Sequence, residues 1–224
     1  MASHRKRPPS RHSHRARYRP QPKQREQTLK SAIRAIDQAL SQIYSLERRQ
    51  QAEDSLLPVS TDHPNGVVLV RKDGDDFSIG IQMHPWVASS LAAFGSWSSE
   101  WSPEQFKAMA VAAEEVSHFR FLLCHISENR PVSKLELETQ GEIDKFLILL
   151  YSKFRMSEEH FDSLYSRIFE EFSLHQSLTQ EEKERYIRAN EQARNFITRL
   201  RPALRESPDK ALLHLREEYR KHLR

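Results

Sequence analysis

Residues 102–127, SPEQFKAMAVAAEEVSHFRFLLCHIS, decide the fold of this chain. They open on Ser102-Pro103-Glu104-Gln105, a capping box with proline at the first helical position, which predicts that a helix begins there. Apolar residues then cover most directions around the helix axis. A helix that is apolar nearly all round is buried, so we expect the other elements to pack around residues 103–127.

Further helices are predicted on both sides of this segment. Ser133-Lys134-Leu135-Glu136 is a second capping box, and Pro202 is expected to limit the helix that starts near Thr179. Connections of a few residues between long helices favour antiparallel neighbours, so the predicted fold is mainly α, an antiparallel helical bundle. The additional helices are predicted at residues 27–53, 133–154, 157–175, 179–200 and 207–224.

In the helix predicted at residues 27–53, apolar residues recur at alternating intervals of four and three residues and form an apolar seam. Such a seam is typical of a helix that faces a partner helix. It runs for only about two heptads, which favours packing on the chain's own core, and a homodimer through residues 27–53 is the alternative. The seam residues are Leu29, Ile33, Ile36, Leu40 and Ile43.

One β-hairpin is predicted at about residues 67–83. Val67 to Val70 is a β-branched, apolar run, and apolar residues alternate with polar ones from Phe77 to Met83. The intervening Asp73-Gly74 is a strong hairpin-turn signal. Because an isolated hairpin is marginal in water, we expect it to pack on the helices.

Residues 1–25 form a basic segment with nine Lys or Arg residues and no acid. Subtracting these charges from the total of +4 leaves −5 for residues 26–224, the predicted single helical domain. The segment has too few aliphatic residues to form a core, so it is predicted to be a disordered tail. It either contacts nucleic acid or an acidic protein, or is a solvated extension. The polyanion-binding candidates are Arg5, Lys6, Arg7, Arg11, Arg15, Arg17 and Arg19.

The composition excludes several classes of protein. The chain has five glycines and none of the glycine-rich phosphate-binding motifs. Its longest apolar run, Phe146 to Tyr151, is far shorter than a membrane span, so no membrane association is predicted. The single cysteine, Cys124, favours a reducing compartment, and the expected location is cytoplasmic, or nuclear in a eukaryote.

Ionisable residues interrupt the apolar pattern of two neighbouring helices. Helical spacing places Glu114, His118 and His125 within about 40° of one another. Glu115 and His118 also form an E-x-x-H pair, and Glu138 and Glu142 lie on the apolar stripe of the next helix, whereas Glu136 and Asp144 are predicted to face solvent. Carboxylates on a buried stripe are unfavourable unless they are paired or bind a metal.

One hypothesis for this cluster is a divalent metal site between the two helices, holding Fe, Mn or Zn. Ferritin-like proteins use such ligands, but they need an E-x-x-H motif on each of two helices, and only one lies on a strongly buried helix here. The sequence therefore does not indicate membership of that family. The first-choice ligands are Glu115, His118 and Glu142, and the further ones are Glu114, Glu138 and His125.

The favoured alternative is a buried polar network without metal. In it, Arg120 and Arg130 pair with Glu138 or Glu142, and Asn190 lies at the centre of an apolar stripe on a later helix. The sequence favours a binding or accessory protein with a buried Glu/His cluster. A metal-dependent redox or hydrolytic enzyme and a nucleic-acid-associated adaptor are the alternatives, and whether the chain is an enzyme is left open.

Overall fold

The computed structural model describes residues 22–47, 50–74, 76–92, 101–152, 157–174, 176–206 and 208–222. Over these residues the fold is mainly helical with one two-stranded antiparallel sheet, which confirms the predicted fold class. The helices are α1 (Pro22–Tyr44), α2 (Pro85–Ala92), α3 (Pro103–Ser127), α4 (Lys134–Tyr151), α5 (Glu158–Tyr165, continued by a π-helical turn, Ser166–Glu170), α6 (Gln180–Glu206) and α7 (Pro208–His222). The strands are β1 (Gly66–Asp73) and β2 (Asp76–Met83), and a short 3-10 turn lies at Ala52–Ser55.

Helix α3 is the centre of the fold, as its composition predicts. Both predicted capping boxes form: Ser102 N–H donates to Gln105 Oε1 at 3.0 Å, and Ser133 N–H donates to Glu136 Oε2 at 2.8 Å. These reciprocal bonds satisfy backbone donors that the first helical turn leaves free. Helix α3 then contacts α1, α2, α4 and both strands, so most of its faces are covered.

The apolar seam of α1 is buried in the chain's own core. All five seam residues are buried, and α1 packs on α2, α3 and α7. This confirms that the seam packs on the chain's own core, and a homodimer through residues 27–53 stays a prediction. The basic candidates from Arg5 to Arg19 lie outside the described residues, while residues 22–25, predicted to belong to the tail, form the first turn of α1.

Helix α1 ends at Tyr44, so the predicted end at residue 53 was wrong. Ser45 takes a left-handed φ of 55°, and Leu46 N–H donates back to Ser41 O at 2.9 Å, which closes the helix. Arg216 of α7 donates to the free carbonyls of Gln42 and Ile43, each at 2.9 Å. The end of α1 therefore depends on a contact from a helix distant in sequence.

The hairpin forms in the predicted place, with Val70 opposite Ile79 and Lys72 opposite Phe77. Gly74 has a φ of +62° at the turn, a conformation that glycine adopts without strain. Strand β2 packs on α3 and buries Ile79, Ile81 and Met83. The hairpin is thus stabilised by the helices, as expected.

Helix α6 continues through Pro202 to Glu206, so the predicted end at Leu200 was wrong. Proline removes the N–H that would bond to the carbonyl of Thr198. Leu200 and Leu204, on either side of the proline, are both buried, and their packing keeps the last turn helical. Within the described ranges, no helix combines the length and apolar character needed to cross a membrane.

Candidate metal site

Glu114 and His118 of α3 and Glu138 of α4 come together between the two helices. One ligand atom from each residue lies within 4.8 Å of the others. The four-residue spacing places Glu114 and His118 one above the other on the same face of α3. Glu114 contacts Lys145, and the later residue His118 contacts the earlier Glu138, so α4 runs antiparallel to α3. Side chains of both helices therefore lie at the same point.

A glycine in α4 makes room for the imidazole. A Cβ atom added at Gly141 would lie 2.7 Å from His118 Nε2 and 3.3 Å from Glu114 Cγ. A second glycine, Gly66 at the start of β1, lies against Glu115, where an added Cβ would be 3.0 Å from Cγ. The missing side chains at these two positions let α4 and the hairpin approach the cluster closely.

The imidazole of His118 lies between two carboxylates but makes a close hydrogen bond to neither. Its Nδ1 is 3.8 Å from Glu115 Oε2, and its Nε2 is 3.7 Å from Glu138 Oε2. Of these atoms, Glu115 Oε2, His118 Nε2 and Glu138 Oε2 are buried and have no hydrogen-bond partner among the described residues. Buried polar atoms rarely lack a partner, so their convergence on one point requires an explanation.

Burial and mutual charge shift the pKa values of these groups. Burial lowers the pKa of His118, but the carboxylates of Glu115, Glu138 and Glu114 outweigh it and raise the pKa to about 9. Burial raises the pKa of Glu138 to about 7, although His118 opposes this. Burial likewise raises the pKa of Glu115. In the metal-free protein at neutral pH, the cluster therefore holds an imidazolium.

Lys145 lies beside the three-residue group and binds two of the predicted ligands. Its Nζ is 3.1 Å from Glu114 Oε2 and 2.7 Å from Glu142 Oε1. Glu142, a first-choice ligand in the sequence analysis, is thus paired with Lys145 and is not part of the three-residue group. Glu114 and Glu138, assigned a secondary place, are part of it.

Helix α6 covers the cluster. Arg185 Nε lies 3.7 Å from Glu138 Oε1, and the pKa of Tyr186 is raised by burial and by the carboxylates of Glu138, Glu114 and Glu115. The cluster contains four carboxylates, those of Glu114, Glu115, Glu138 and Glu142, and two permanent cations, Lys145 and Arg185. With all four carboxylates ionised and His118 neutral, it would carry two excess negative charges, and burying unbalanced charge is strongly unfavourable. In the metal-free protein, the raised pKa values of His118 and Glu138 mean that bound protons reduce this excess.

His125 and Arg120 lie apart from this cluster. His125 is two helical turns beyond His118, with its Nδ1 2.8 Å from the carbonyl of Phe121, so it is not a ligand of the same site. Arg120 pairs with Asp37 of α1, with Nη2 2.5 Å from Oδ2. The predicted pairing of Arg120 with Glu138 or Glu142 was therefore wrong, because α1 supplies a nearer carboxylate.

The other two residues of the predicted polar network have different surroundings. Arg130 lies in the connection between α3 and α4, where its backbone N–H donates to the carbonyl of His125 at 2.9 Å. Asn190 is buried on α6, and its Nδ2 has no hydrogen-bond partner among the described residues. A network that joins these two residues to the cluster stays a prediction.

Asp144 forms a buried polar centre that the sequence analysis missed. It was expected to face solvent, but it accepts hydrogen bonds from Ser117 Oγ at 2.5 Å, from Gln140 Nε2 at 2.9 Å and from the hydroxyl of Tyr44. Burial raises its pKa to about 6, although the three donors and His118 oppose the rise. No sequence signal on α4 reveals this environment, because α1 covers Asp144 from a distant part of the chain.

The chain has no match to a protein-family model, and comparisons with curated proteins and with solved structures find no match either. The assignment of the site therefore depends on its geometry and chemistry alone.

Proposed function

We propose that this protein binds one divalent transition-metal ion, Fe²⁺, Mn²⁺ or Zn²⁺, through Glu114, His118 and Glu138. The observation that carries the proposal is the convergence of three ligand atoms within 4.8 Å on two helices, with His118 Nε2 and Glu138 Oε2 both buried and unpartnered. Two carboxylates and one imidazole form a donor set that suits these ions.

The spacing of the ligands fits a single ion after a small adjustment. Metal–ligand bonds of about 2.0–2.2 Å place the ligand atoms of a tetrahedral site about 3.3–3.6 Å apart. Ligand atoms at the upper limit of 4.8 Å would thus have to approach one another by about 1.2–1.5 Å, which side-chain torsions can supply. Glu114 has 21% of its side chain exposed and connects the site to solvent.

Glu115 supports the ligand histidine. Its Oε2 faces His118 Nδ1, the ring nitrogen that points away from Glu138. Metal-binding histidines commonly donate their second N–H to a carboxylate, which fixes the tautomer and the ring orientation. The ion would also supply the two positive charges that the cluster lacks when His118 is neutral.

A metal-binding or accessory role is the function that the geometry supports best. With three protein ligands, the ion keeps coordination positions for water or another molecule, as in metal sites with redox or hydrolytic activity. Binding of nucleic acid or an acidic protein by residues 1–25, and a cytoplasmic location, stay predictions from the sequence.

The test is the metal content of the full chain, purified without chelator or histidine tag and then incubated with each ion. We expect about one ion per chain by inductively coupled plasma mass spectrometry. Glu138→Gln and His118→Ala should weaken binding by tenfold or more. Loss of a residue that only supports a metal ligand already lowers metal affinity by about 10–100-fold, and loss of one of three ligands should lower it at least as much. Glu191→Gln, at an exposed acid on α6, is the matched control and should bind normally. A wild-type chain that takes up none of the three ions refutes the proposal.

A further inference from the structure

The buried ammonium of Lys145 shares a carboxylate with the proposed metal site. Its Nζ lies between Glu114 Oε2 and Glu142 Oε1, at 3.1 and 2.7 Å, and only 12% of the side chain is exposed. Glu142 itself is 3% exposed, and its second oxygen, Oε2, has no hydrogen-bond partner among the described residues. Lys145 is therefore bound by two carboxylates in a place that is nearly closed to water.

This arrangement matches the position of a second cation. In sites with two metals, the ions lie about 3.5–4 Å apart and share ligands. Here Glu114 belongs both to the proposed metal site and to the Lys145 pair, and the free oxygen of Glu142 offers one more ligand atom. An ion beside Glu114 and Glu142 would have to displace the ammonium.

We propose that Lys145 limits the site to one metal ion, because its ammonium takes the second cation position between Glu114 and Glu142. This inference rests on the proposed function and specifies the number of ions bound. Removal of the amine opens the second position to a divalent ion held by Glu114 and Glu142.

Charge balance supports the same conclusion. With Lys145 and Arg185 present, one divalent ion neutralises the four carboxylates of the cluster when His118 is neutral. A second ion beside Lys145 would leave two excess positive charges in a buried site, which is unfavourable. Without the ammonium, one ion leaves one excess negative charge and two ions leave one excess positive charge, so a second ion meets half the charge imbalance that it meets in the wild type.

The experiment compares the number of Mn²⁺ ions bound by wild type and by Lys145→Gln, by titration calorimetry and by mass spectrometry of the metal content. We expect one ion for wild type and two for Lys145→Gln. Lys145→Arg, which keeps the charge, is the matched control and should bind one ion. A folded Lys145→Gln chain, as judged by circular dichroism and thermal melting, that still binds one ion overturns the inference.

Glu142→Gln provides a second test that does not require Lys145→Gln to fold. Because Lys145 holds Glu142 in the wild type, Glu142 is not a ligand of the single ion. We expect Glu142→Gln to weaken Mn²⁺ binding less than Glu138→Gln does, because it removes one negative charge beside the ion but none of its ligands. A loss as large as that of Glu138→Gln in a folded Glu142→Gln chain makes Glu142 a ligand and overturns the inference.

The outcomes separate this inference from the proposed function. Wild type that binds two ions, or one ion in both wild type and Lys145→Gln, refutes the role of Lys145 and leaves metal binding intact. Wild type that binds none refutes the proposed function. If Lys145→Gln then gains an ion that wild type lacks, the role of Lys145 as a substitute cation is supported on its own.

Discussion

Replacing Gly141 with alanine tests whether the close approach of α4 to His118 holds the candidate site together. The new Cβ would lie 2.7 Å from His118 Nε2 and 3.3 Å from Glu114 Cγ, and the first distance is too short for any real contact. The ring has little freedom to move away, because His118 is 8% exposed and lies between two carboxylates. The substitution should therefore strain the cluster.

Two effects of known size compete in this variant. Alanine in place of glycine inside a helix stabilises by about 1 kcal/mol. Overpacking of a filled interior destabilises by about 1–3 kcal/mol, so the net loss of stability in Gly141→Ala is about 1 kcal/mol. In a His118→Ala background the ring is absent and the clash disappears. The same substitution should then stabilise by about 1 kcal/mol, which gives a coupling energy of about 2 kcal/mol between the two positions.

The assay is urea unfolding of the wild type, both single variants and the double variant, with chelator present so that metal does not contribute. Metal titration of the same proteins provides a second readout, because a displaced ring should weaken binding by tenfold or more in Gly141→Ala. Equal stabilisation by Gly141→Ala in both backgrounds would show that His118 does not contact this position. That result would refute the packing from which the site is built.

Three further predictions concern charge. Metal affinity should fall as the pH is lowered from 8 to 6, because the ion displaces protons from His118, whose pKa is raised to about 9, and from Glu138, whose pKa is raised to about 7. Calorimetry in two buffers should show the release of these protons on binding, and an affinity that does not change with pH would contradict the prediction. For the metal-free protein, the free energy of unfolding measured in urea should instead fall as the pH rises. His118 and Glu138 have raised pKa values in the folded state and therefore bind protons more tightly when folded, so their stabilisation is full below their unfolded pKa values and is lost as the pH rises to about 9. Arg120→Met should destabilise by about 3–5 kcal/mol, because it removes the guanidinium that pairs with the buried carboxylate of Asp37. An Asp37→Leu/Arg120→Met chain should recover most of that loss, and a double variant as unstable as the single one would show that the buried charge of Asp37 is not the cause.

Local sequence patterns were sufficient for most of the helices and for the hairpin. Capping boxes at Ser102 and Ser133 act through bonds that span three residues, and the turn at Gly74 depends on its own backbone. The ends of α1 and α6 were predicted wrongly. The end of α1 is bonded by Arg216 from a distant part of the chain, and α6 continues past Pro202 because the buried Leu204 packs on the core.

The candidate site shows the same difference between what local sequence patterns determine and what contacts across the fold determine. Helical spacing alone places Glu114 and His118 on one face of α3, so the sequence by itself identified a Glu/His cluster between two helices. Which carboxylate each cation takes was decided only by the tertiary structure. Lys145 of α4 binds Glu114 of α3, and α1 brings Asp37 to Arg120. The physical reason is that periodicity determines which residues share a face of a helix, whereas close packing between helices determines the rotation of each face and the partner it meets.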